Sequence, residues 1–285
     1  AETCYNIMDK IREDHIHTED TIGMAELKII SLTKKYPSGV TALQGIDLTV
    51  GKGESLAVFG LERSGKSTLL RILAGLEPVT SGQVVLDGKD ITDLPSKERD
   101  MAYVFQSSSL DMQKSVYDNL AYGLKVRRSP AAVIDVKVRA VAEILGLTDV
   151  LSRKPKTVSA ALRRRVILGR VIVRDPKVYL FDEALSGLNP ELYAQSLQDL
   201  AAVQVRLGAT FVYATENIRE ALTVGTKVAI LSEGKLLQCD TPENLFAHPA
   251  NGFVAEIMGS MPAMTEEYDG KGDGAEETAG GAAEA

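Results

Sequence analysis

The amino-acid sequence predicts an α/β fold with a mainly parallel central sheet, an antiparallel β-subdomain and a helical subdomain. Apolar runs of strand length alternate with amphipathic helical stretches along most of the chain, and this alternation favours a parallel sheet. Residues 107–160 contain no strand pattern and predict the helical subdomain. A glycine-bounded loop between one strand and one helix predicts, in addition, a P-loop nucleoside triphosphatase.

The glycine-bounded loop lies within the sequence SLAVFGLERSGKSTLL. An apolar strand, residues 55–59, precedes the loop, and residues 68–76 carry apolar side chains at helical spacing after it. The N–H groups of such a loop and of the helix N-terminus bind phosphate. Lys66 is expected to contact the β- and γ-phosphates of a nucleotide, and the Ser67 hydroxyl to ligate Mg²⁺. Because the bare pattern also arises by chance, this prediction depends on the flanking strand and helix.

Length and composition indicate a globular protein. The 285 residues suffice for one large α/β domain or two small ones, and 45% of them are hydrophobic. The two cysteines, Cys4 and Cys239, lie far apart in the sequence, which indicates no disulfide framework and favours a reducing compartment. No apolar run reaches the roughly 18 residues that a membrane span needs.

The net charge of −7 is concentrated at the two ends of the chain. Residues 1–23 hold six acidic and two basic residues, and residues 262–285 hold seven acidic residues and one lysine. The ends together carry −10, which leaves +3 for residues 24–261. A slightly basic body suits a nucleotide and does not indicate nucleic acid as a partner. We expect a polar extension at 1–23, a folded domain at 24–262 and an acidic disordered tail at 263–285.

The first half of the predicted domain contains most of the turns. Alternating apolar and polar residues predict strands, and glycine or proline residues mark the turns between them. The pair Asp87-Gly88 predicts the turn of a hairpin. The predicted strands span residues 24–36, 42–50, 55–59 and 101–105, and the predicted hairpin spans residues 83–91. Gln106 directly follows the last of these strands. Residues 116–173 are predicted to be mostly helical.

The second half of the domain alternates strands with helices. Apolar runs predict buried strands at 178–181 and 210–214, and a hairpin across Ser232-Glu233-Gly234 joins strands at 228–231 and 235–239. Helical spacing predicts helices at 191–207, 242–247 and 251–258.

The acid pair Asp182-Glu183 directly follows the apolar strand 178–181. In a P-loop protein the first acid of such a pair holds Mg²⁺, and the second orients or deprotonates the attacking water. The alternative is a charged loop after a buried strand. The P-loop elsewhere in the chain favours the first interpretation.

Tyr36 follows a basic pair and precedes Pro37 at the predicted end of a strand. An exposed aromatic side chain at such a position could stack on a base. The alternative is an ordinary tyrosine at the end of a strand. Without further context, the sequence around Tyr36 favours this alternative.

These motifs resemble those of the nucleotide-binding subunit of an ATP-binding cassette importer, and most closely the maltose-type carbohydrate uptake ATPases. The resemblance covers about residues 24–262. Besides the P-loop it rests on three stretches, GLEPVTSGQVVLDGKDITDLPSKERDMAYVFQ, SVYDNLAYGLK and TPENLFAHPANGFVAEIMGSMP. It implies a head-to-tail dimer in which each of two ATP molecules lies between one subunit's P-loop and the other subunit's signature loop.

The resemblance also implies a role for each matching residue. Tyr36 is similar to the family's adenine-stacking aromatic residue. The residues that match ATP-binding positions are Gly60, Ser64, Gly65, Lys66, Ser67, Thr68, Gln106 and Ser159, with Glu216 at a further one. The implied catalytic residues are Glu183, Gln106 and Lys66, and the implied Mg²⁺ ligands are Ser67, Gln106 and Asp182.

The signature loop departs from the family pattern. Where the family has LSGGQ, this chain has Val158, Ser159, Ala160, Ala161 and Leu162. The serine can still donate to a γ-phosphate, but the two alanines place Cβ atoms where glycines allow close backbone approach. Leu162 stands where the family has glutamine and therefore lacks its side-chain amide.

Three further departures concern single positions. Glu216 replaces the family histidine after the strand TFVYAT. Its carboxylate is expected to repel the γ-phosphate by up to roughly 4 kcal/mol at ~4 Å and an effective dielectric constant near 20. Asn189 replaces an aspartate after Ser186-Gly187-Leu188, and Glu62 and Arg63 replace small residues inside the P-loop.

The resemblance implies an importer subunit that couples MgATP binding and hydrolysis to uptake of a sugar, a polyol or a similar solute. The implied partners are transmembrane permease subunits, a second ABC ATPase subunit and, indirectly, a solute-binding protein, at the cytoplasmic face of the inner membrane. Because the altered groups face across the dimer, we expect the degenerate half of a heterodimer, with weak or partner-dependent hydrolysis. The alternative is a nucleotide-binding scaffold with little or no hydrolysis. Glu183 disfavours this alternative, whereas Glu216 and the altered stretch 158–162 favour it.

Overall fold

The computed structural model of the chain describes residues 24–104 and 109–260. The predicted N-terminal extension, the acidic tail and Gln106 lie outside these ranges. Within them the predicted α/β fold is confirmed, with a mainly parallel sheet, an antiparallel sheet and a group of helices.

The antiparallel sheet comes from the first part of the chain. Its four strands lie in the order β2-β1-β4-β5. Their bounds are Leu27–Lys35 for β1, Thr41–Val50 for β2, Ser81–Leu86 for β4 and Lys89–Asp90 for β5. Strands β4 and β5 form the predicted hairpin around Asp87-Gly88.

The central sheet has six strands in the order β10-β9-β3-β8-β7-β6. Five of them run parallel, and β10 pairs antiparallel with β9. Their bounds are Ser55–Phe59 for β3, Met101–Val104 for β6, Val178–Asp182 for β7, Thr210–Thr215 for β8, Lys227–Ser232 for β9 and Lys235–Asp240 for β10.

Helices cover both faces of the central sheet. Their bounds are Lys66–Leu73 for α1, Val116–Val126 for α2, Ala131–Ile144 for α3, Ala160–Ile172 for α4, Pro190–Leu207 for α5, Ile218–Val224 for α6, Pro242–Ala247 for α7 and Gly252–Gly259 for α8. Single turns of 3₁₀-helix lie at Ser96–Glu98, Thr148–Val150 and Pro155–Thr157.

Three apolar clusters meet at the central sheet, one on one face and two on the other, and neighbouring residues of a strand enter clusters on opposite faces. On β7, Leu180 packs with α1 and the antiparallel sheet. Its neighbours Tyr179 and Phe181 pack instead with the helices α2 to α5. A strand that is buried on both faces needs a continuous apolar run, which is why the sequence pattern marked β3, β7 and β8 so clearly.

Two helices differ from the sequence prediction. Helix α1 begins at Lys66 rather than after the loop motif, because the motif itself enters the first turn. Helix α6 was not predicted. Its signal is the pair Asn217 and Glu220, a cap residue followed three positions later by glutamate. The Asn217 side chain accepts a hydrogen bond from the Arg219 N–H.

Nowhere in the described ranges is a helix both long and apolar enough to traverse a bilayer.

Candidate functional site

The loops that follow β3, β8 and β7 meet at one edge of the central sheet. These strands are adjacent and parallel, with Phe59 opposite Thr215 and Asp182 opposite Ala214. The P-loop, Glu216 and Glu183 therefore all lie just beyond the carboxyl ends of neighbouring strands. Open α/β sheets bind ligands at such an edge.

The P-loop backbone requires its two glycines. A Cβ atom at Gly60 would come within 2.6 Å of the Leu231 carbonyl oxygen, and one at Gly65, where φ is 104°, would collide with the Ala42 carbonyl. The Ser64 hydroxyl inside the loop is buried and has no hydrogen-bond partner among the described residues. A close-fitting loop with an orphaned buried hydroxyl fits a phosphate group.

Lys66 lies in a ring of oxygen atoms at the start of α1. Its Nζ donates to the Leu61 carbonyl oxygen at 3.0 Å and to Glu216 Oε1 at 3.2 Å, and it lies 4.0 Å from Glu183 Oε1. The Lys66 side chain is 4% exposed, whereas that of Glu216 is 45% exposed. Glu216 thus pairs with the P-loop lysine. The sequence did not predict this ion pair, and the repulsion expected between Glu216 and a γ-phosphate stays a prediction.

Ser67 and Asp182 supply hard oxygen atoms beside Lys66. The Ser67 hydroxyl donates to Asp182 Oδ1 at 3.0 Å, and the Tyr103 hydroxyl donates to Asp182 Oδ2 at 2.5 Å. Because the Ser67 proton points to the carboxylate, the lone pairs of its oxygen remain for a cation. Hydroxyl and carboxylate oxygens suit Mg²⁺, which takes few protein ligands and completes its shell with water and phosphate. These residues therefore fit a magnesium ion held jointly with a nucleotide.

Glu183 occupies a strained position immediately after β7. Its φ is 47°, a left-handed conformation that is unusual for a non-glycine residue and that tends to occur at functional sites. The pKa of Glu183 is raised above its usual value, chiefly by burial and next by the charge of Glu216, while Lys66 lowers it. A raised pKa brings a carboxylate closer to the basicity that a general base needs.

Tyr36 reaches the P-loop helix from the end of β1. Its hydroxyl lies 3.4 Å from Thr68 Oγ1, and Lys34 Nζ lies 4.9 Å from the centre of its ring. The lysine is buried and also contacts the Pro78 carbonyl oxygen. The tyrosine is therefore held beside the phosphate loop, where an aromatic ring could receive a base.

The two unusual P-loop residues project into solvent. Glu62 and Arg63 form an ion pair of 4.0 Å, with side chains 85% and 92% exposed. Arg63 adopts a φ of 64°, which costs a non-glycine residue roughly 1–2 kcal/mol. Since this ion pair points into solvent, the Glu62 carboxylate does not project toward the phosphate-binding side of the loop.

Ser159 and Asn189 do not join the P-loop cluster. Ser159 caps α4, and its hydroxyl oxygen accepts from the Leu162 N–H at 3.2 Å. Asn189 caps α5 in the same way and accepts from the Leu192 N–H at 2.9 Å. In the part of the chain that the structure describes, no hydrogen bond links either residue to Lys66, Ser67 or Asp182.

Sequence reasoning missed two residues that support the site. Tyr103 carries no motif, since it is one aromatic residue within a strand. Glu220 is buried on α6 and accepts from the Tyr213 and Thr215 hydroxyls at 2.7 Å and 2.6 Å. It thereby fixes the strand end that leads to Glu216. The capping pattern with Asn217 is the signal that could have found it.

Together, the glycine loop after β3 and the acid pair after β7 define a P-loop nucleotide-binding domain. Residues 43–186 match the sequence profile of the ABC transporter family, and this chain belongs to that family.

Relatives and solved structures agree with this assignment. The chain is 45% identical over 241 residues to the sn-glycerol-3-phosphate import ATP-binding protein UgpC of Chromohalobacter salexigens, covering 85% of this chain and 65% of that protein. It is 45% identical over 242 residues to the diacetylchitobiose uptake system ATP-binding protein MsiK of Streptomyces coelicolor, covering 85% of this chain and 64% of that protein. It thus spans slightly less than two thirds of either relative. The structure of cbiO1 from Clostridium perfringens, part of the ABC transporter complex cbiONQ, superposes with a TM-score of 0.71 at 28% identity, covering 79% of this chain and 91% of that one.

Proposed function

We propose that this chain is the ATP-binding subunit of an importer and couples MgATP binding and hydrolysis to uptake of a small solute. The observation that carries the proposal is the convergence of Lys66, Ser67, Asp182 and Glu183 at one sheet edge. Relatives named for glycerol-3-phosphate and diacetylchitobiose uptake support a sugar, a polyol or a similar solute.

The proposed chemistry assigns a task to each residue. The P-loop N–H groups and Lys66 bind the β- and γ-phosphates, and Tyr36 stacks on adenine. Ser67 and Asp182 would hold Mg²⁺, whose charge would offset that of the phosphates. Glu183 orients the attacking water and accepts its proton. Gln106, outside the described ranges, is proposed as a further ligand of the metal and the water. The proposed ATP-binding cassette domain that contains all of these residues spans residues 24–262.

The proposed site for the permease is a groove between α2 and α4. Arg127, Arg170 and Arg174 line it together with the exposed Tyr122. Burial, and then the nearby Arg127, lower the pKa of Arg174, so an acidic segment would relieve the unfavourable charge there. Docking of permease subunits in this groove would hold the chain at the cytoplasmic face of the inner membrane.

We further propose that the chain is the degenerate half of a heterodimeric ATPase pair. Glu216 occupies a position where a γ-phosphate donor is expected, and Ala160 and Ala161 carry Cβ atoms where the family signature has glycines. A partner with an intact signature loop would complete the site on Lys66 and Glu183. Slow hydrolysis by the isolated subunit fits this proposal, since donors to a transferring phosphoryl group matter by about 10³ or more in rate.

One observation favours a second candidate, a nucleotide-binding scaffold with little hydrolysis. Glu216 already neutralises Lys66 in the structure, which weakens the attraction of that lysine for a γ-phosphate. The acid pair Asp182-Glu183 favours the enzyme, because a scaffold needs no general base.

The direct test is titration of the full chain with a fluorescent ATP analogue. We expect saturable binding that tightens with Mg²⁺ and weakens about tenfold in Lys66→Ala, because the lysine carries the charge that faces the phosphates. Lys52→Ala is the matched control, since Lys52 is an exposed lysine on the turn before β3. Binding that Lys66→Ala leaves unchanged would contradict the proposed site.

Stacking on Tyr36 is tested with the same titration. We expect Tyr36→Ala to weaken ATP binding several-fold, because a stacked aromatic ring contributes roughly 0.5–1.5 kcal/mol beyond its burial. Tyr36→Phe should retain most of the affinity, since the hydroxyl contact with Thr68 is long at 3.4 Å. Equal losses in both variants would assign the effect to the hydroxyl and reject stacking.

A further inference from the structure

Both carboxylate oxygens of Asp182 are held by hydroxyl groups. Ser67 donates to Oδ1 at 3.0 Å from α1, and Tyr103 donates to Oδ2 at 2.5 Å from β6. Strand β6 runs parallel to β7, and Tyr103 is opposite Leu180. Its side chain therefore projects from the same sheet face as Leu180 and Asp182. The sheet itself thus aims the phenol at the carboxylate.

Tyr103 is a neutral and well-fixed donor. Burial, and then its bond to Asp182, raise the pKa of Tyr103 well above the usual value, while a hydrogen bond from Arg71 opposes that rise. A tyrosine hydroxyl ordinarily carries its proton at neutral pH, and here it donates that proton in a hydrogen bond to Asp182. A hydrogen bond from a neutral donor to a carboxylate is shorter and stronger than one between neutral groups. Arg71 on α1, Tyr103 on β6 and Asp182 on β7 form one connected chain.

We propose that Tyr103 is a positioning residue that confines Asp182 to single-oxygen contact with the metal and so favours Mg²⁺ over Ca²⁺. Mg²⁺ requires a compact octahedral shell and takes carboxylates through one oxygen, whereas the larger Ca²⁺ accepts a carboxylate through both. The phenol holds Oδ2 toward β6, whereas Oδ1 lies beside the Ser67 oxygen, which is the other proposed metal ligand. The inference rests on the proposed function, because it takes Ser67 and Asp182 as the metal-binding pair.

Removing the Tyr103 hydroxyl would free the Asp182 carboxylate and leave the packing around the aromatic ring unchanged. In Tyr103→Phe the aromatic ring still fills its place, but Oδ2 lacks its donor and the carboxylate can rotate. Removal of such an outer partner typically weakens metal binding by about 10–100-fold. The same freedom lets both oxygens face a larger ion, so Ca²⁺ should lose less than Mg²⁺.

The experiment measures metal dependence of nucleotide binding rather than hydrolysis. The full chain is titrated with MgCl₂ or CaCl₂ at a fixed concentration of fluorescent ATP analogue. In Tyr103→Phe we expect the half-saturating Mg²⁺ concentration to rise about tenfold and that of Ca²⁺ to change less than about threefold. Nucleotide affinity without metal should stay within about twofold, which also reports that the variant is folded.

Tyr117→Phe is the matched control, because the Tyr117 hydroxyl donates to Asp135 at 3.2 Å on the helices α2 and α3. It should leave both metal dependences unchanged. If the wild-type chain binds nucleotide without any response to Mg²⁺, the proposed function fails. If it responds but Tyr103→Phe shifts Mg²⁺ and Ca²⁺ equally, or shifts neither, the role of Tyr103 is overturned.

Discussion

Replacing Glu183 by glutamine should reduce ATP hydrolysis by at least about hundredfold and leave MgATP binding intact, because a positioned general base contributes typically 10²–10⁴-fold. Glutamine keeps the size of the side chain and removes its ability to accept a proton. The residue lies 4.0 Å from Lys66 Nζ, close to where the γ-phosphate would bind. The measurement is steady-state phosphate release by the chain reconstituted with its permease and with a partner ATPase whose own catalytic glutamate is replaced by glutamine, next to nucleotide titration of each variant.

Glu62→Gln is the control for this prediction, since Glu62 is an exposed acid of the P-loop that points into solvent. The pH dependence gives a second readout. Glu183 must be deprotonated to act, and its pKa is raised, so the rate should fall on acidification at a higher pH than an ordinary glutamate would give. Unchanged hydrolysis in Glu183→Gln would remove Glu183 as the base. A wild-type complex that binds ATP and transports without hydrolysing it at this site would favour the scaffold.

The local motifs of this chain could be predicted because each one is contiguous in the sequence. The P-loop reads as a strand, a glycine-bounded loop and a helix, and the acid pair follows the apolar run that forms β7. Both signals combine a short motif with the hydrophobic period of the strand or helix beside it. The fold class followed from them together with the alternation of strands and helices.

Contacts between motifs could not be predicted from the sequence, because they depend on strand order. Glu216 meets Lys66 only because β8 lies next to β3, and Tyr103 meets Asp182 only because β6 lies next to β7. The residues of each pair lie far apart in sequence. Ser159 is proposed to face the P-loop of a second subunit, and strand order within one chain does not determine a contact between two chains. The ion pair of Glu216 with Lys66 could not be predicted for the same reason, because the two residues meet only in the folded chain.

The pairing of Glu216 with Lys66 leads to the largest expected gain of activity. Its carboxylate lies 3.2 Å from Nζ, so an incoming γ-phosphate must displace it and then remain beside its charge. At ~4 Å and an effective dielectric constant near 20 the repulsion approaches roughly 4 kcal/mol. Because the Glu216 side chain is 45% exposed, solvent and salt reduce this value. A residual penalty of about 1.4 kcal/mol corresponds to tenfold in affinity.

Two substitutions separate the charge of Glu216 from the missing phosphate donor. Glu216→Gln removes the charge, and we expect about tenfold tighter ATP binding with a smaller change for ADP, which lacks the γ-phosphate. It should also move the acidic fall in rate to lower pH, because Glu216 is the second cause of the raised Glu183 pKa. Glu216→His also supplies a donor to the phosphate, and it should raise hydrolysis by about hundredfold over the wild-type complex, since one such donor is worth 10²–10³-fold.

The comparison of the two variants tests the proposed degeneracy itself. Both leave Thr215 and Glu220 in place, so the strand end that carries position 216 keeps its hydrogen bonds. Glu62→Gln again serves as the control for loss of an acidic charge near the P-loop, and it should alter ATP affinity by less than about twofold. If Glu216→Gln binds ATP no more tightly than Glu62→Gln, the ion pair with Lys66 does not compete with phosphate. If Glu216→His hydrolyses ATP no faster than Glu216→Gln, the lack of a phosphate donor at position 216 does not limit hydrolysis at this site.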